Sequence, residues 1–129
     1  MHNPTALSAL TLVEQSALLR NGECSSRELV DAYLSNIERL DGKLHAFVDV
    51  YADEARQLAD AADQARRSGF PSGPLHGLPI ALKDLLEIEG RVTTMGSQMW
   101  RNRRSTSTAA VVERLLAAGM IPLGKTHMV

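Results

Sequence analysis

Apolar residues recur every three or four positions along the first half of the chain, which predicts amphipathic helices. The clearest run begins after Ser25, where Glu28 completes a capping box, and Gly42 is predicted to end this helix. The same spacing predicts a first helix over 6–20 and an alanine-rich helix over 52–67. One face of the alanine-rich helix is predicted to carry Ala52, Ala55, Leu58, Ala59, Ala62 and Ala65.

Short apolar runs replace this spacing in the second half of the chain and predict strands. A weak alternation marks 45–50, and the runs 78–82 and 120–123 are bounded by proline or glycine. An irregular segment and then a helix over 108–118, which ends at Gly119, separate the last two strands. Strands that alternate with helices predict an α/β domain built in layers.

Length and composition restrict the classes of protein that fit. The 129 residues suffice for one domain or part of a larger one, and the net charge of -1 gives no case for nucleic acid or an anionic membrane as partner. The single cysteine, Cys24, excludes an internal disulfide and fits a reducing compartment. The sequence shows no secretory signal and no apolar stretch of ~20 residues, so we expect a cytoplasmic protein that does not enter the membrane.

The histidines show no spacing that is typical of metal ligands, so no metal site is predicted. His76 lies in a Gly-Pro-Leu-His-Gly turn, where hydrogen bonding to the backbone is the expected role.

Lys83 is a candidate functional residue because of its position in the predicted secondary structure. It closes the predicted strand 78–82, a position where lysine is costly unless it is paired or used in chemistry. An ordinary lysine titrates near ~10.4, and it acts as a base at neutral pH only when its surroundings bring its pKa toward ~7–8. From the residues alone, a lysine paired with the following Asp84, or a solvated one, is the commoner arrangement.

A second lysine, Lys125, belongs to a segment that fits the phosphate-loop pattern. Gly119, Gly124, Lys125 and Thr126 stand at the spacing G-x-x-x-x-G-K-T. That pattern binds phosphate when a strand precedes the first glycine and a loop separates the two glycines. Here a predicted helix precedes them and an apolar strand separates them, so nucleotide binding is not expected. Lys125 is then interpreted as a structural or surface lysine, and a role at the edge of the site is left open.

Several segments, in this order and at these spacings, resemble the amidase signature family. They are 22–30, 73–80, Lys83-Asp84, Thr93-Thr94 with Gly96-Ser97, Val111-Val112, and 117–119 through 124–126. The resemblance implies an α/β fold that is the N-terminal portion of the family's α/β/α layers, a mixed sheet flanked by helices. It also implies that 1–129 is the N-terminal part of one such domain, with 6–70 mainly helical and 74–129 forming the start of the signature core.

Enzymes of that family use two serines, one of them preceded by a cis peptide bond, together with a lysine. The resemblance assigns the lysine to Lys83, as the general base. Both serines follow Val129 in the family's order, so the chain is expected to be a truncated piece that is inactive alone. Thr94, Gly96 and Ser97 belong to a loop that lies close to the active site in the family. They are candidates for substrate binding, although a purely structural turn would explain them equally.

The activity implied by the resemblance is hydrolysis of the carbon–nitrogen bond of a linear carboxamide through an acyl-enzyme, without cofactor or metal. The implied partner is a small-molecule amide, nucleic acid is not expected, and a homodimer of the parent protein is left open. Two alternatives remain: a glutaminase or amidotransferase component that acts on misacylated tRNA, and a catalytically inert truncated scaffold. Leu85-Leu86, Thr108 and His127 depart from residues common in the family and leave the subfamily open.

Overall fold

The computed structural model describes residues 3–128, so Met1, His2 and Val129 of the predicted domain lie outside the described residues. The elements in chain order are α1 (Pro4–Ser8), α2 (Leu12–Arg20), α3 (Ser26–Leu44), β1 (Phe47–Val50), α4 (Ala52–Arg67), β2 (Pro79–Lys83), a 3₁₀ helix (Gln98–Trp100), α5 (Ala110–Ala117) and β3 (Ile121–Thr126). The helix predicted over 52–67 is confirmed as α4.

Strand β3 lies at the centre of a three-stranded sheet with the order β1-β3-β2. It runs antiparallel to β1 and parallel to β2, so the sheet is mixed. The predicted end of this strand at residue 123 is wrong, because both neighbouring strands still pair with β3 as far as Thr126. The α/β class with a mixed sheet and flanking helices is confirmed, and Lys125 lies within a strand.

Two clusters of buried side chains join the helices to the sheet. One cluster lies where the first three helices meet the residues that precede β2 and β3: Leu7, Leu19, Cys24, Leu29, Ala32, Leu78 and Met120. The other cluster lies between α3, α4 and β3: Val30, Leu34, Ala55, Ala59, Ala62, Ile121 and Leu123. Because α3 contributes to both clusters, it ties the N-terminal helices to the sheet.

Leu58 does not share the buried face of α4, contrary to the prediction. Its side chain is 46% exposed, whereas Ala55 and Ala59 are fully buried. The buried alanines are spaced three and four residues apart and form a narrow stripe, which leaves Leu58 at its margin. The small alanine side chains therefore make the contact between α4 and α3.

The helix predicted over 6–20 is interrupted, and α1 and α2 are separate. Thr11 starts α2 with a capping box of its own: its hydroxyl accepts the N–H of Glu14 at 3.3 Å, and the Glu14 carboxylate accepts the N–H of Thr11 at 2.7 Å. The buried amide of Gln15 donates to the carbonyl of Leu7 in α1 and to that of Leu10 in the turn between α1 and α2. The sequence contains this helix start as Thr-x-x-Glu, which the spacing of apolar residues alone does not reveal.

The predicted start of α3 is confirmed and its predicted end is wrong. Ser25 and Glu28 form the reciprocal capping box, at 3.0 and 2.8 Å. The helix continues through Gly42 to Leu44, and His45 adopts the left-handed conformation that ends it. The carboxylate of Asp41 then accepts the N–H groups that follow the helix. Since these contacts supply the stop, Gly42 is not needed for it.

His76 fastens the loop before β2 onto α4. Its Nδ1 accepts the N–H of Ser72 at 3.1 Å, so Nε2 carries the proton and donates to the carbonyl of Ala62 at 2.9 Å. Arg66 of α4 donates to the backbone carbonyl of His76 at 2.7 Å. The expected backbone role of this histidine is confirmed.

Gly124 and Gly42 offer a matched test of close packing in the central strand. A Cβ atom at Gly124 would collide with the backbone oxygen of Asp49, whereas one at Gly42 would meet nothing within 4 Å. We expect Gly124→Ala to lower the free energy of unfolding by at least about 2 kcal/mol, because β1 would have to move. Gly42→Ala should raise it by about 0.5–1 kcal/mol, since alanine favours the helix. Urea denaturation followed by circular dichroism measures both, and a Gly124→Ala protein of unchanged stability would contradict the described pairing.

Candidate active site

Two lysines lie at the carboxyl ends of the two parallel strands. The register places Lys125 of β3 opposite Leu82, and Lys83 of β2 opposite Thr126. Successive residues of a strand project to opposite faces, and paired residues of neighbouring strands project to the same face. Lys83 and Lys125 are therefore close along the sheet but point away from each other.

Lys125 is buried, with 1% of its surface exposed. Its Nζ donates to Thr93 Oγ1 at 3.0 Å and lies 3.6 Å from Asp84 Oδ1, whose side chain is also buried. Burial lowers the pKa of Lys125, and the carboxylate of Asp84 opposes that shift by favouring the ammonium form. The interpretation of Lys125 as a surface lysine is wrong, because the sheet and the segment that carries Thr93 enclose it.

The side chain of Lys83 is half-buried and makes no hydrogen bond or ion pair with any part of the chain between residues 3 and 128. The alternative in which Lys83 pairs with Asp84 is wrong, because Asp84 projects from the other face and meets Lys125. The backbone around Lys83 is well fixed: its carbonyl accepts the N–H of Leu86, and the N–H of Asp84 donates to Thr126, each at 2.9 Å. The strand end thus combines a hydrogen-bonded backbone with a Lys83 side chain that is unpaired among the described residues.

The predicted loop of Thr94, Gly96 and Ser97 is attached to the residue that follows Lys83. The carboxylate of Asp84 accepts both the N–H and the hydroxyl of Thr94. The backbone carbonyl of Asp84 accepts the N–H of Met95 at 3.0 Å. Within the loop, Gly96 N–H donates to Thr94 Oγ1, and Ser97 Oγ accepts the N–H of Met99. Asp84 therefore connects the strand end to the loop.

A cavity of about 570 Å³ opens beside this loop, on the face of the sheet that carries Lys125. Its walls include the following polar residues: Asp49, Asp84, Thr94, Ser97, Gln98, Arg101, Lys125 and His127. Gly96 also lines the cavity, and Lys83 does not. The structure thus brings the three loop residues together with Asp84 and Lys125, and it places the side chain of Lys83 outside this cavity.

Buried hydroxyl groups extend the cluster around Lys125 away from the cavity. Ser105 Oγ donates to Thr93 Oγ1 at 3.0 Å, and these two residues are 3% and 0% exposed. A nucleophile must reach its substrate, so these hydroxyls do not form a serine–lysine or threonine–lysine catalytic pair. Sequence reasoning did not bring these residues together, because Asp84, Thr93, Ser105 and Lys125 come from separate segments and no spacing along the chain shows that they meet.

The phosphate-loop pattern does not form a phosphate loop. Ile121–Thr126 is strand β3, so its backbone N–H groups serve the sheet, and Lys125 is enclosed beneath it. The expectation that nucleotides are not bound through this segment therefore has a structural basis.

Other candidate chemistry is limited in the part of the chain that the structure describes. Within residues 3–128, no three His, Cys, Asp or Glu side chains lie so that they could hold a metal ion. In the same range no helix is long and apolar enough to cross a membrane. Burial raises the pKa of the Cys24 thiol to about 11, which disfavours the thiolate form that a nucleophilic cysteine needs.

Comparison with known proteins assigns the family. The sequence model of the family described as Amidase matches residues 28–129. The chain is 49% identical over 118 residues to a glutamyl-tRNA(Gln) amidotransferase subunit of Chromohalobacter salexigens, a match that covers 92% of this chain and 24% of that protein. The same subunit of Halorhodospira halophila is 46% identical over 118 residues. The chain therefore spans about a quarter of the length of these curated relatives.

Solved structures agree with this assignment. The native peptide amidase of Stenotrophomonas maltophilia is 35% identical, with a TM-score of 0.85 over 92% of this chain and 25% of that chain. A fatty acid amide hydrolase has a TM-score of 0.90 at 23% identity, which shows a shared fold. The chain belongs to the amidase family, whose members share the amidase signature.

The pairing of Lys125 with Asp84 predicts that removing one charge destabilises the protein more than removing both. Lys125→Met leaves a buried, uncompensated carboxylate, so we expect the free energy of unfolding to fall by about 3–5 kcal/mol. Lys125→Met/Asp84→Asn removes both charges and should recover at least about half of that loss. Urea denaturation tests this, with the exposed Lys43→Met as a control that should change stability by less than about 0.5 kcal/mol. Equal losses in the single and double variants would show that the pair is not coupled.

Proposed function

We propose that the complete protein that contains this chain hydrolyses the carbon–nitrogen bond of linear carboxamides through an acyl-enzyme, with Lys83 as the general base. The observation that carries the proposal is the free side chain of Lys83 at the carboxyl end of β2. Asp84, the nearest carboxylate in sequence, is already engaged by Lys125 and Thr94. Lys83 is consequently available to exchange a proton with a reacting group.

The proposed reaction proceeds in two stages. A serine hydroxyl attacks the amide carbon, and its proton passes through a second serine to the neutral amine of Lys83. The tetrahedral intermediate collapses, the amine leaves with a proton, and an ester to the serine remains. Water then attacks the ester, with the same groups taking its proton, and releases the acid. A lysine can act in this way only when burial or a nearby cation disfavours its ammonium form.

The serines of this mechanism are not assigned to the described residues. Ser105 is buried and donates to Thr93, and Ser97 caps the 3₁₀ helix through its hydroxyl. We propose that both catalytic serines, and the further burial of Lys83, come from the three quarters of the relatives' length that this chain does not span. The loop of Thr94, Gly96 and Ser97 is proposed to shape the substrate-binding region.

A second function is that of an amidotransferase component that releases ammonia from glutamine for use on misacylated tRNA. The observation that favours it is the identity of 46–49% to proteins named as glutamyl-tRNA(Gln) amidotransferase subunits, against 35% to the peptide amidase. Both functions use the same chemistry at Lys83. Comparing ammonia release from glutamine with release from simple amides, with and without purified partner proteins, separates them.

The proposed partner is a small-molecule amide, without cofactor or metal, and the proposed location is the cytoplasm. The location is supported by the single buried cysteine, which forms no internal disulfide. Assembly of the complete protein into a homodimer is open to measurement by sedimentation.

Lys83→Arg in the complete protein tests the assignment of the base. Arginine keeps the positive charge but does not release a proton near neutral pH, so we expect kcat/KM to fall at least about 100-fold. Lys43→Arg, at an exposed lysine near the end of α3, should change it less than about 2-fold. Ser97→Ala should have an intermediate effect of at most about 10-fold, because it removes a cap and not the base. A folded Lys83→Arg enzyme within a few-fold of wild type would exclude Lys83 as the base.

A further prediction concerns the 129-residue chain by itself. We expect no hydrolysis of glutamine or of a panel of small amides, because a lysine without its serines cannot form the ester intermediate. Ammonia release should equal that of a Lys83→Ala version of the same chain. Turnover clearly above that control would mean that a nucleophile lies within residues 1–129 and that the proposed division of the site is wrong.

A further inference from the structure

We infer that the buried ion pair of Asp84 and Lys125 positions Lys83, so that Lys125 is a positioning residue of the site. The inference rests on the proposed function, in which Lys83 is the base. Lys125 does not touch the reacting atoms in this arrangement, and it acts through Asp84, the neighbour of Lys83.

Side chains alternate in direction at the end of β2. Leu82 and Asp84 project to the face of Lys125, and Lys83 projects to the other face. Lys125 lies 3.6 Å from the carboxylate of Asp84, which fixes the position of that carboxylate. A residue held on one face of the strand sets the direction of the residue before it. The ion pair therefore sets the direction in which Lys83 leaves the sheet.

The pair also affects the charge near Lys83. Asp84 is the residue next to Lys83, and a carboxylate close to a lysine favours its ammonium form. Lys125 and the N–H and hydroxyl of Thr94 together occupy this carboxylate. Because Asp84 is engaged in this way, it does not form an ion pair with Lys83.

Lys125 makes further contacts that join the strand end to the loop. Its Nζ also donates to Thr93 at 3.0 Å, and Thr93 directly precedes the loop residue Thr94. On the sheet, Lys125 is paired with Asp49 of β1 and Leu82 of β2. Lys125 thus connects all three strands to the segment that carries the loop. We therefore expect a substitution at Lys125 to disturb the position of Lys83 more than it disturbs distant parts of the fold.

The experiment is a double-mutant cycle between Lys83 and Lys125 in the complete protein, with kcat and KM measured on a hydrolysed amide. We expect Lys125→Met to lower kcat at least about 10-fold and to change KM less than about 3-fold. In a Lys83→Arg background the same change should lower kcat by less than about 2-fold further, since the group it positions is already lost. Val112→Ala, a fully buried change in α5, is the control for lost stability and should keep kcat within about 2-fold.

Several outcomes would overturn the inference. A folded Lys125→Met enzyme with wild-type kcat would do so, and so would a Lys125→Met effect that persists in full in the Lys83→Arg background. If Lys125→Met does not fold, Lys125→Met/Asp84→Asn takes its place in the cycle. If that protein also fails to fold, Thr93→Val removes the hydroxyl acceptor of Lys125, and full activity of this variant would show a purely structural role.

The same set of variants separates this inference from the proposed function. An active Lys83→Arg enzyme overturns the base assignment and this inference with it. An inactive Lys83→Arg enzyme together with a fully active Lys125→Met enzyme overturns this inference alone.

Discussion

The ammonium group of Lys125 is a positive charge removed almost wholly from water, and the carboxyl end of the sheet is organised around it. A lone charge in such a place costs several kcal/mol, so it is tolerated only with a carboxylate and further hydrogen bonds. Asp84 supplies the carboxylate and Thr93 the hydroxyl. Since these groups come from two separate segments that follow β2, the strand end and the loop must close together around Lys125.

The amino end of β2 is held by different means. There a neutral histidine, His76, bridges the loop and α4 through two hydrogen bonds, and the adjoining apolar cluster excludes water. Apolar packing and neutral hydrogen bonds fix the start of the strand, whereas a buried ion pair fixes its end. This contrast places the charged groups where the parallel strands end, which is where ligands commonly bind in α/β sheets.

The chemistry of the proposed site is divided between this chain and the remainder of the relatives' length. Lys83 lies at a strand end whose backbone is hydrogen-bonded, and the loop of Thr94, Gly96 and Ser97 is attached to that end through Asp84. Lys83 nevertheless projects from the face of the sheet opposite to Lys125, as the register requires, and it does not line the cavity beside the loop. A lysine at a hydrogen-bonded strand end, with a side chain that pairs with no other described residue, is free to contact groups outside the described residues.

The sequence by itself determined the helices with strong spacing and caps, the mixed α/β class and the family, because these depend on local periodicity and on motifs. It also singled out Lys83, whose catalytic role stays a prediction. The spacing of apolar residues did not determine that Thr11 divides the first helix or that α3 passes Gly42, because hydrogen bonds of Glu14 and Asp41 set those boundaries. The partner of Asp84 and the burial of Lys125 were decided only by the tertiary structure. The pairing of β2 with β3 sets which lysine shares a face with Asp84, and no spacing along the chain contains that register.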